Sequence, residues 1–219
     1  MIDLDIPNEK ILLAAQQTIY MVGIALIIGT ILGAAMAVIL VLTRKGGIRP
    51  NKIVYGILNA VINVVRSIPF IILMVFIMPL TKAIVGTRIG TTAAIVPLVV
   101  FIAPYLARLL ESSLLEVNRG IVEAAQSMGA TTFQIIWHFL LPESSGSLIL
   151  ALTTGAIGLL GATAMAGAIG AGGVGDLALT YGYERMNFPL MLFTIIVLIV
   201  FVQLIQVLGN FLSRRLRHK

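Results

Sequence analysis

Five stretches of this chain are too long and too apolar for water to be their solvent. They run from about Thr18 to Leu42, Ile53 to Met78, Thr91 to Leu110, Leu148 to Ile169 and Phe188 to Leu212. About twenty apolar residues cross the hydrocarbon core of a bilayer as a helix. In that medium every backbone N–H and C=O has to find its partner inside the protein, which a single apolar segment does as an α-helix. The pattern predicts an all-α integral membrane protein with five transmembrane helices. The second run carries Arg66 and Pro69, and the third carries Pro97 and Pro104. Only 11% of the 219 residues are charged, against about 25% in soluble domains. No polar stretch is long enough for a separate soluble unit, so residues 1–219 read as one membrane domain.

Lys and Arg collect on the cytoplasmic side of membrane helices. Arg44, Lys45, Arg49 and Lys52 follow the first span, Arg108 and Arg119 the third, and Arg214, Arg215, Arg217 and Lys219 the fifth. Lys10, Lys82, Arg88 and Arg185 fall on the other side. The bias puts the N-terminus outside, the C-terminus in the cytoplasm, and the 111–147 loop in the cytoplasm. The N-terminus is acidic (Asp3, Asp5, Glu9) and the first run is too long for a signal-peptide core, so it reads as a retained helix. The net charge of +6 has the same origin as the bias. Basic residues at span ends, without aromatic interleaving, exclude nucleic acid as a partner. The chain has no cysteine, which excludes disulfides, thiol chemistry and cysteine-held metals.

The cytoplasmic loop carries the densest pattern, over about residues 119–142. Glu123-Ala124-Ala125-Gln126-Ser127-Met128-Gly129 is followed by nine residues to His138, then by Phe139-Leu140-Leu141-Pro142. Ile121, Val122, Ala125, Met128, Phe133, Ile136, Trp137 and Leu140 recur at roughly helical spacing. The reading is a short helix, a turn at Gly129, a second short helix and a stop at Pro142. Ala124 and Ala125 are small enough for a partner surface to approach closely, and Glu123 offers it a carboxylate. An ordinary interfacial helix would be richer in Lys and Arg than this one, which has only Arg119 nearby.

This segment resembles the cytoplasmic coupling loop of ABC-importer permeases, written Glu-Ala-Ala, three residues, Gly, nine residues, Ile, one residue, Leu-Pro. Every fixed position matches except Phe139, which stands where the family has Ile. The resemblance implies a coupling helix between the third and fourth spans that docks on a cytoplasmic ATPase subunit. The implied coupling residues are Glu123, Ala124, Ala125, Gly129, Phe139, Leu141 and Pro142. The chain has no glycine-rich loop ending in Gly-Lys-Ser/Thr. No cofactor is expected on it; ATP and Mg belong to the partner ATPase.

The fourth span, Thr153 to Gly167, is built mostly of small residues that let helix backbones approach closely. Met165 is the long, flexible exception. Two such side chains facing each other across a dimer axis would plug a passage, with Gly161 and Thr163 lining it. The following Gly170-Ala171-Gly172-Gly173-Val174-Gly175-Asp176-Leu177 reads as a loop on the outer face. With Tyr181-Gly182-Tyr183, it resembles a stretch of the methionine-importer permeases. So do Arg66-Ser67-Ile68-Pro69-Phe70 and Ala107-Arg108-Leu109-Leu110-Glu111. The Gly-Ala-Gly-Gly part is also similar to permeases for quaternary-ammonium osmolytes.

The likeness runs from about residue 10 to residue 215. It implies the permease subunit of an ATP-driven importer for an amino acid, with methionine as the implied cargo, in a bacterial cytoplasmic membrane. The implied partners are a second copy of the chain, an ATPase dimer, an external substrate-binding lipoprotein and membrane lipid. An osmolyte or phosphonate permease is the alternative within the family. A stand-alone secondary carrier or a membrane enzyme is the alternative outside it. A carrier needs intramembrane acids for a proton relay, and all nine acidic residues lie outside the assigned spans. An enzyme needs a catalytic cluster, and none is visible. Arg66, the one charge well inside a span, is expected to pair with a helix-end carbonyl or with Glu111 rather than touch substrate. His138 reads as a packing or docking residue, since no second metal ligand lies at helical spacing.

Overall fold

The computed structural model describes residues 6–217. Asp3, Asp5 and Lys219 of the charge argument lie outside them. Among the described residues every regular element is helical. Helix α1 spans Asn8–Thr43, α2 Lys52–Ser67, α3 Phe70–Phe76, α4 Met78–Val85 and α5 Thr91–Leu115. Helix α6 spans Arg119–Ser127 and α7 Thr132–Gln134, which continues as a π-turn over Ile135–Leu140 into α8, Leu141–Glu143. Then come α9 at Ser145–Gly167, α10 at Val174–Asp176, a second π-turn at Leu177–Tyr183, and α11 at Phe188–Arg217.

Four helices, α1, α5, α9 and α11, are each long and apolar enough to cross a membrane. A fifth crossing exists if α2 and α3 count as one. The second apolar run is therefore not the straight span expected of it: α2 and α3 meet at 104°. The cause is local. Proline disfavours the helical region for the residue before it, and Ile68, before Pro69, is extended (φ −86°, ψ 123°). By contrast Pro97 and Pro104 sit buried inside the continuous α5, as neighbouring helices allow in a membrane bundle.

Helix α5 is the centre of the bundle, with α1 and α9 packed on it. On α1, Met21, Ala25, Gly29, Gly33 and Ala37 recur every four residues and are all buried. This small-residue ridge lets the two backbones approach. A Cβ on Gly33 would lie 2.9 Å from the Ala103 carbonyl and 2.9 Å from Leu106 Cβ. Helix α11 closes on α9, where Ser213 Oγ donates to the Gly146 carbonyl at 2.8 Å. Much of its remaining surface, including Ile195, Ile199 and Leu208, is exposed, as suits a helix facing lipid.

Past α9 the chain folds back on itself. Gly173 N–H donates to Gln17 Oε1 and Val174 N–H to Thr18 Oγ1, both at 2.9 Å. Thr91 Oγ1 donates to the Ala171 carbonyl at 2.8 Å. The glycine loop is thus tied to the start of α1 and the start of α5. It lies at the opposite end of α9 from the segment that precedes it.

Candidate functional site

The segment between α5 and α9 is built by local signals. Asn118 starts α6, its Oδ1 accepting from Gly120 N–H at 2.8 Å. The helix ends in a Schellman motif: Ala130 N–H donates to the Ala125 carbonyl at 3.0 Å and Gly129 N–H to the Gln126 carbonyl at 2.9 Å. Gly129 takes φ +79°, where a side chain is strained. Thr131 then opens α7 with a reciprocal capping box to Gln134.

Pro142 does not stop the chain as expected. A proline removes the N–H that would reach the carbonyl four residues back and crowds that carbonyl. Here the preceding turn is π-type, with Leu141 N–H bonded to the Ile136 carbonyl, so the wider register admits the ring. The turn comes at Ser144 (φ −88°, ψ 2°), and α9 starts directly after it. The loop is therefore mechanically continuous with α9.

The side chains divide into two sets. Ala125, Ile135 and Leu140 are buried and join the core formed by Leu110, Leu114, Val117 and Val41. Phe139 and Leu141 pack partly against the same core. Ala125 is fully buried against its own protomer, so it anchors the helix and is not the contact for a partner that its sequence position suggested. Glu123, Ala124, Gly129 and Pro142 face outward. The largest outward groups were not among the expected coupling residues. Met128 is 74% exposed, Phe133 69% and Trp137 60%, and the Phe133 and Trp137 rings stack at 6.1 Å, 5° from parallel. Helical spacing placed all three on the same face as Ala125 and Leu140. That periodicity was read as one stripe across Gly129, but on each side of the turn it divides: Ala125 is buried and Met128 exposed before it, Ile135 and Leu140 buried and Phe133 and Trp137 exposed after it. Together they form an exposed apolar patch with a stacked aromatic pair at its centre.

The fourth span gives a second surface. Thr154, Gly161 and Met165 are exposed along one side of α9, at i, i+7 and i+11. Met165 is 49% exposed, so it does not fill a space within its own protomer. Thr163 is buried, its hydroxyl donating to the Leu160 carbonyl at 2.7 Å. It faces the opposite side and does not line this surface. The expected partner of Arg66 is also taken. Glu111 is held by Arg108 at 2.8 Å, and the Arg66 guanidinium lies over the Tyr105 ring, 6.0 Å from its centroid.

The family described as "Binding-protein-dependent transport system inner membrane component" matches residues 29–218. The chain is 50% identical over 212 residues to the probable D-methionine transport system permease protein MetI of Vibrio cholerae, covering 97% of this chain and 94% of that one. It is 45% identical over 175 residues to the methionine import system permease protein MetP of Bacillus subtilis, covering 80% and 79%. Among solved structures it resembles a chain of the inward-facing MetNI methionine ABC transporter, with a TM-score of 0.94, 41% identity and coverage of 95% and 97%. A continuous bundle of apolar helices, the spacing of the cytoplasmic loop and these matches along almost the whole length agree: the chain is a multi-pass membrane protein and belongs to the inner-membrane components of binding-protein-dependent transport systems.

Proposed function

We propose that the chain is the permease subunit of an ATP-driven importer for methionine, working as a homodimer with a cytoplasmic ATPase dimer and an external substrate-binding protein. The observation that carries this is the match over 97% of the chain, at 50% identity, to a permease named for D-methionine transport. The N-terminus is outside and the C-terminus inside. The α6–α8 segment is the coupling element. Met128, Phe133 and Trp137 fill a groove on the ATPase, Glu123 and Ala124 lie at its edge, and Gly129, Phe139, Leu141 and Pro142 hold the shape. ATP and Mg act on the partner chain.

The mechanism is alternating access. Closure of the ATPase dimer moves the coupling segments. Because the segment runs into α9 with only the Ser144 turn between them, the two α9 helices move with it. Met165 and Gly161 of each copy face the shared axis and close or open the outer path. The binding protein delivers cargo when that path is open, and hydrolysis returns the inward-open state.

The test is ATP-dependent uptake of labelled methionine into vesicles holding all three components. Unlabelled methionine should compete and glycine betaine should not. Competition by glycine betaine alone would assign the osmolyte branch instead.

A further inference from the structure

Helix α2 has three faces, and two have an evident neighbour. Ile53, Ile57, Val61 and Val64 form an exposed apolar face suited to lipid. Tyr55, Leu58 and the buried Ile62 pack with Leu40 and Ala107. The third face is polar: Asn59, Asn63 and Arg66, at i, i+4 and i+7. Asn63 and Arg66 are exposed, and lipid is a costly solvent for such groups.

That face meets a matching line on α5, Phe101, Tyr105 and Arg108. Arg108 donates to Glu111 Oε2 at 2.8 Å, to Asn63 Oδ1 at 2.9 Å and to Asn59 Oδ1. Its charge is satisfied. Arg66 is different, because Arg108–Glu111 is the only ion pair among the described residues. The Arg66 guanidinium meets the Tyr105 ring. Tyr105 stacks on Phe101 at 6.2 Å, and Phe101 meets Phe70 edge-on at 5.1 Å. Gly158 of α9 leaves room beside Tyr105; a Cβ there would lie 3.8 Å from Tyr105 Cε1. The strip therefore borders the exposed side of α9 that carries Thr154, Gly161 and Met165.

A guanidinium without a carboxylate, at the end of a row of aromatic rings, matches one cargo chemistry: an α-amino acid with an apolar, sulfur-bearing side chain. Its carboxylate suits a guanidinium, and a thioether gains from contact with ring edges. We propose that this strip is a cargo-binding face of the passage, where Arg66 holds the amino-acid carboxylate and Tyr105 and Phe101 contact the side chain. The proposal rests on the methionine-importer reading. The competing role for Arg66 is structural, since it stands in the last turn of α2, where the helix end favours a cation.

The cysteine-free chain permits a direct test. Asn63→Cys in the assembled transporter, in lipid nanodiscs, is treated with the charged thiol reagent MTSES and, separately, with N-ethylmaleimide. MTSES should react, and methionine should slow it. Reaction with N-ethylmaleimide alone, with neither reagent, or with MTSES but without protection by methionine overturns the proposal. If Asn63→Cys fails to assemble, Ser67→Cys replaces it; Ser67 is exposed one turn on from Asn63 and leaves Arg66 in place. In vesicles, Arg66→Gln should lower methionine uptake about tenfold, the equivalent of one charge-assisted hydrogen bond. Arg66→Lys should restore part of it, and ATPase co-purification should not change. Uptake by Arg66→Gln equal to the parent's overturns the proposal while leaving the importer reading intact. Parent vesicles that take up no methionine defeat the importer reading itself.

Discussion

Glycine serves the chain before α9 and the chain after it, and Gly129 and Gly175 show two opposite reasons for it. Gly129 has open space where a Cβ would stand, and is glycine because its φ is +79°. Gly175 has an ordinary φ, and is glycine because of its neighbours: a Cβ there would run into the Ala164 backbone and lie 2.8 Å from Ala164 Cβ. Gly167 faces it, where a Cβ would lie 2.5 Å from Asp176 N. The first end holds its shape by hydrogen bonds and presents large side chains outward. The second, at α10, is packed backbone to backbone, with Val174, Gly175 and Leu177 buried. The difference separates a handle from a seal. On the proposed reading one end is gripped by another chain, and the other closes the bundle on itself.

The sharpest way to break this comparison is at the seal. Gly175→Val should force α10 away from α9 at a cost on the order of 4 kcal/mol or more, the range of severe core overpacking. We expect a loss of monodisperse protein in detergent and a large fall in Tm. A variant as stable as the parent would mean that α10 is not packed as described.

At the handle the effect should fall on assembly instead. Trp137→Ala should weaken ATPase capture by about 2 kcal/mol, roughly thirtyfold, as a central aromatic anchor does. The thermal stability of the permease alone should not change. An unchanged affinity would put the groove elsewhere on the loop.

Gly129→Val tests the reason for the turn. Since space is open there, the expected cost is backbone strain alone, about 1–2 kcal/mol. Insertion into the membrane should survive while ATPase coupling drops. Gly129→Asn, a residue that tolerates the left-handed region, should retain most of the coupling. Equal loss in both variants would implicate contact with a partner rather than conformation.

Met165→Ala should have the smallest effect on stability, because the side chain is half exposed in the protomer. We expect a raised passive methionine efflux from vesicles without ATP and little change in Tm. A destabilised variant that leaks no more than the parent would make Met165 a packing residue at the dimer contact.

Much of this was legible in the residues. Apolar length gave four of the five expected spans as single helices, because hydrocarbon leaves a chain few other conformations; the second is the bent α2–α3 pair. The spacing from Glu123 to Pro142 marked the loop and its glycine turn, because a left-handed residue is a local requirement. Pro69 marked a break, yet its size, 104°, depends on what α2 and α3 pack against. Pro142 signalled a stop that the π-turn before it removed, since a register shift is set by how the segment lies on the core.

What no local pattern could decide was which side of each helix faces inward. Ala124 and Ala125 are neighbours of the same type, and Gly161 and Thr163 are two residues apart, yet each pair divides between outside and core. Glu111 was in reach of two arginines by sequence and is held by one of them. Sequence fixes periodicity along a helix, because that depends on its own geometry. Rotation about the axis is fixed only when another helix takes up one side, so burial, pairing and the exposed aromatic cluster were settled by the tertiary structure.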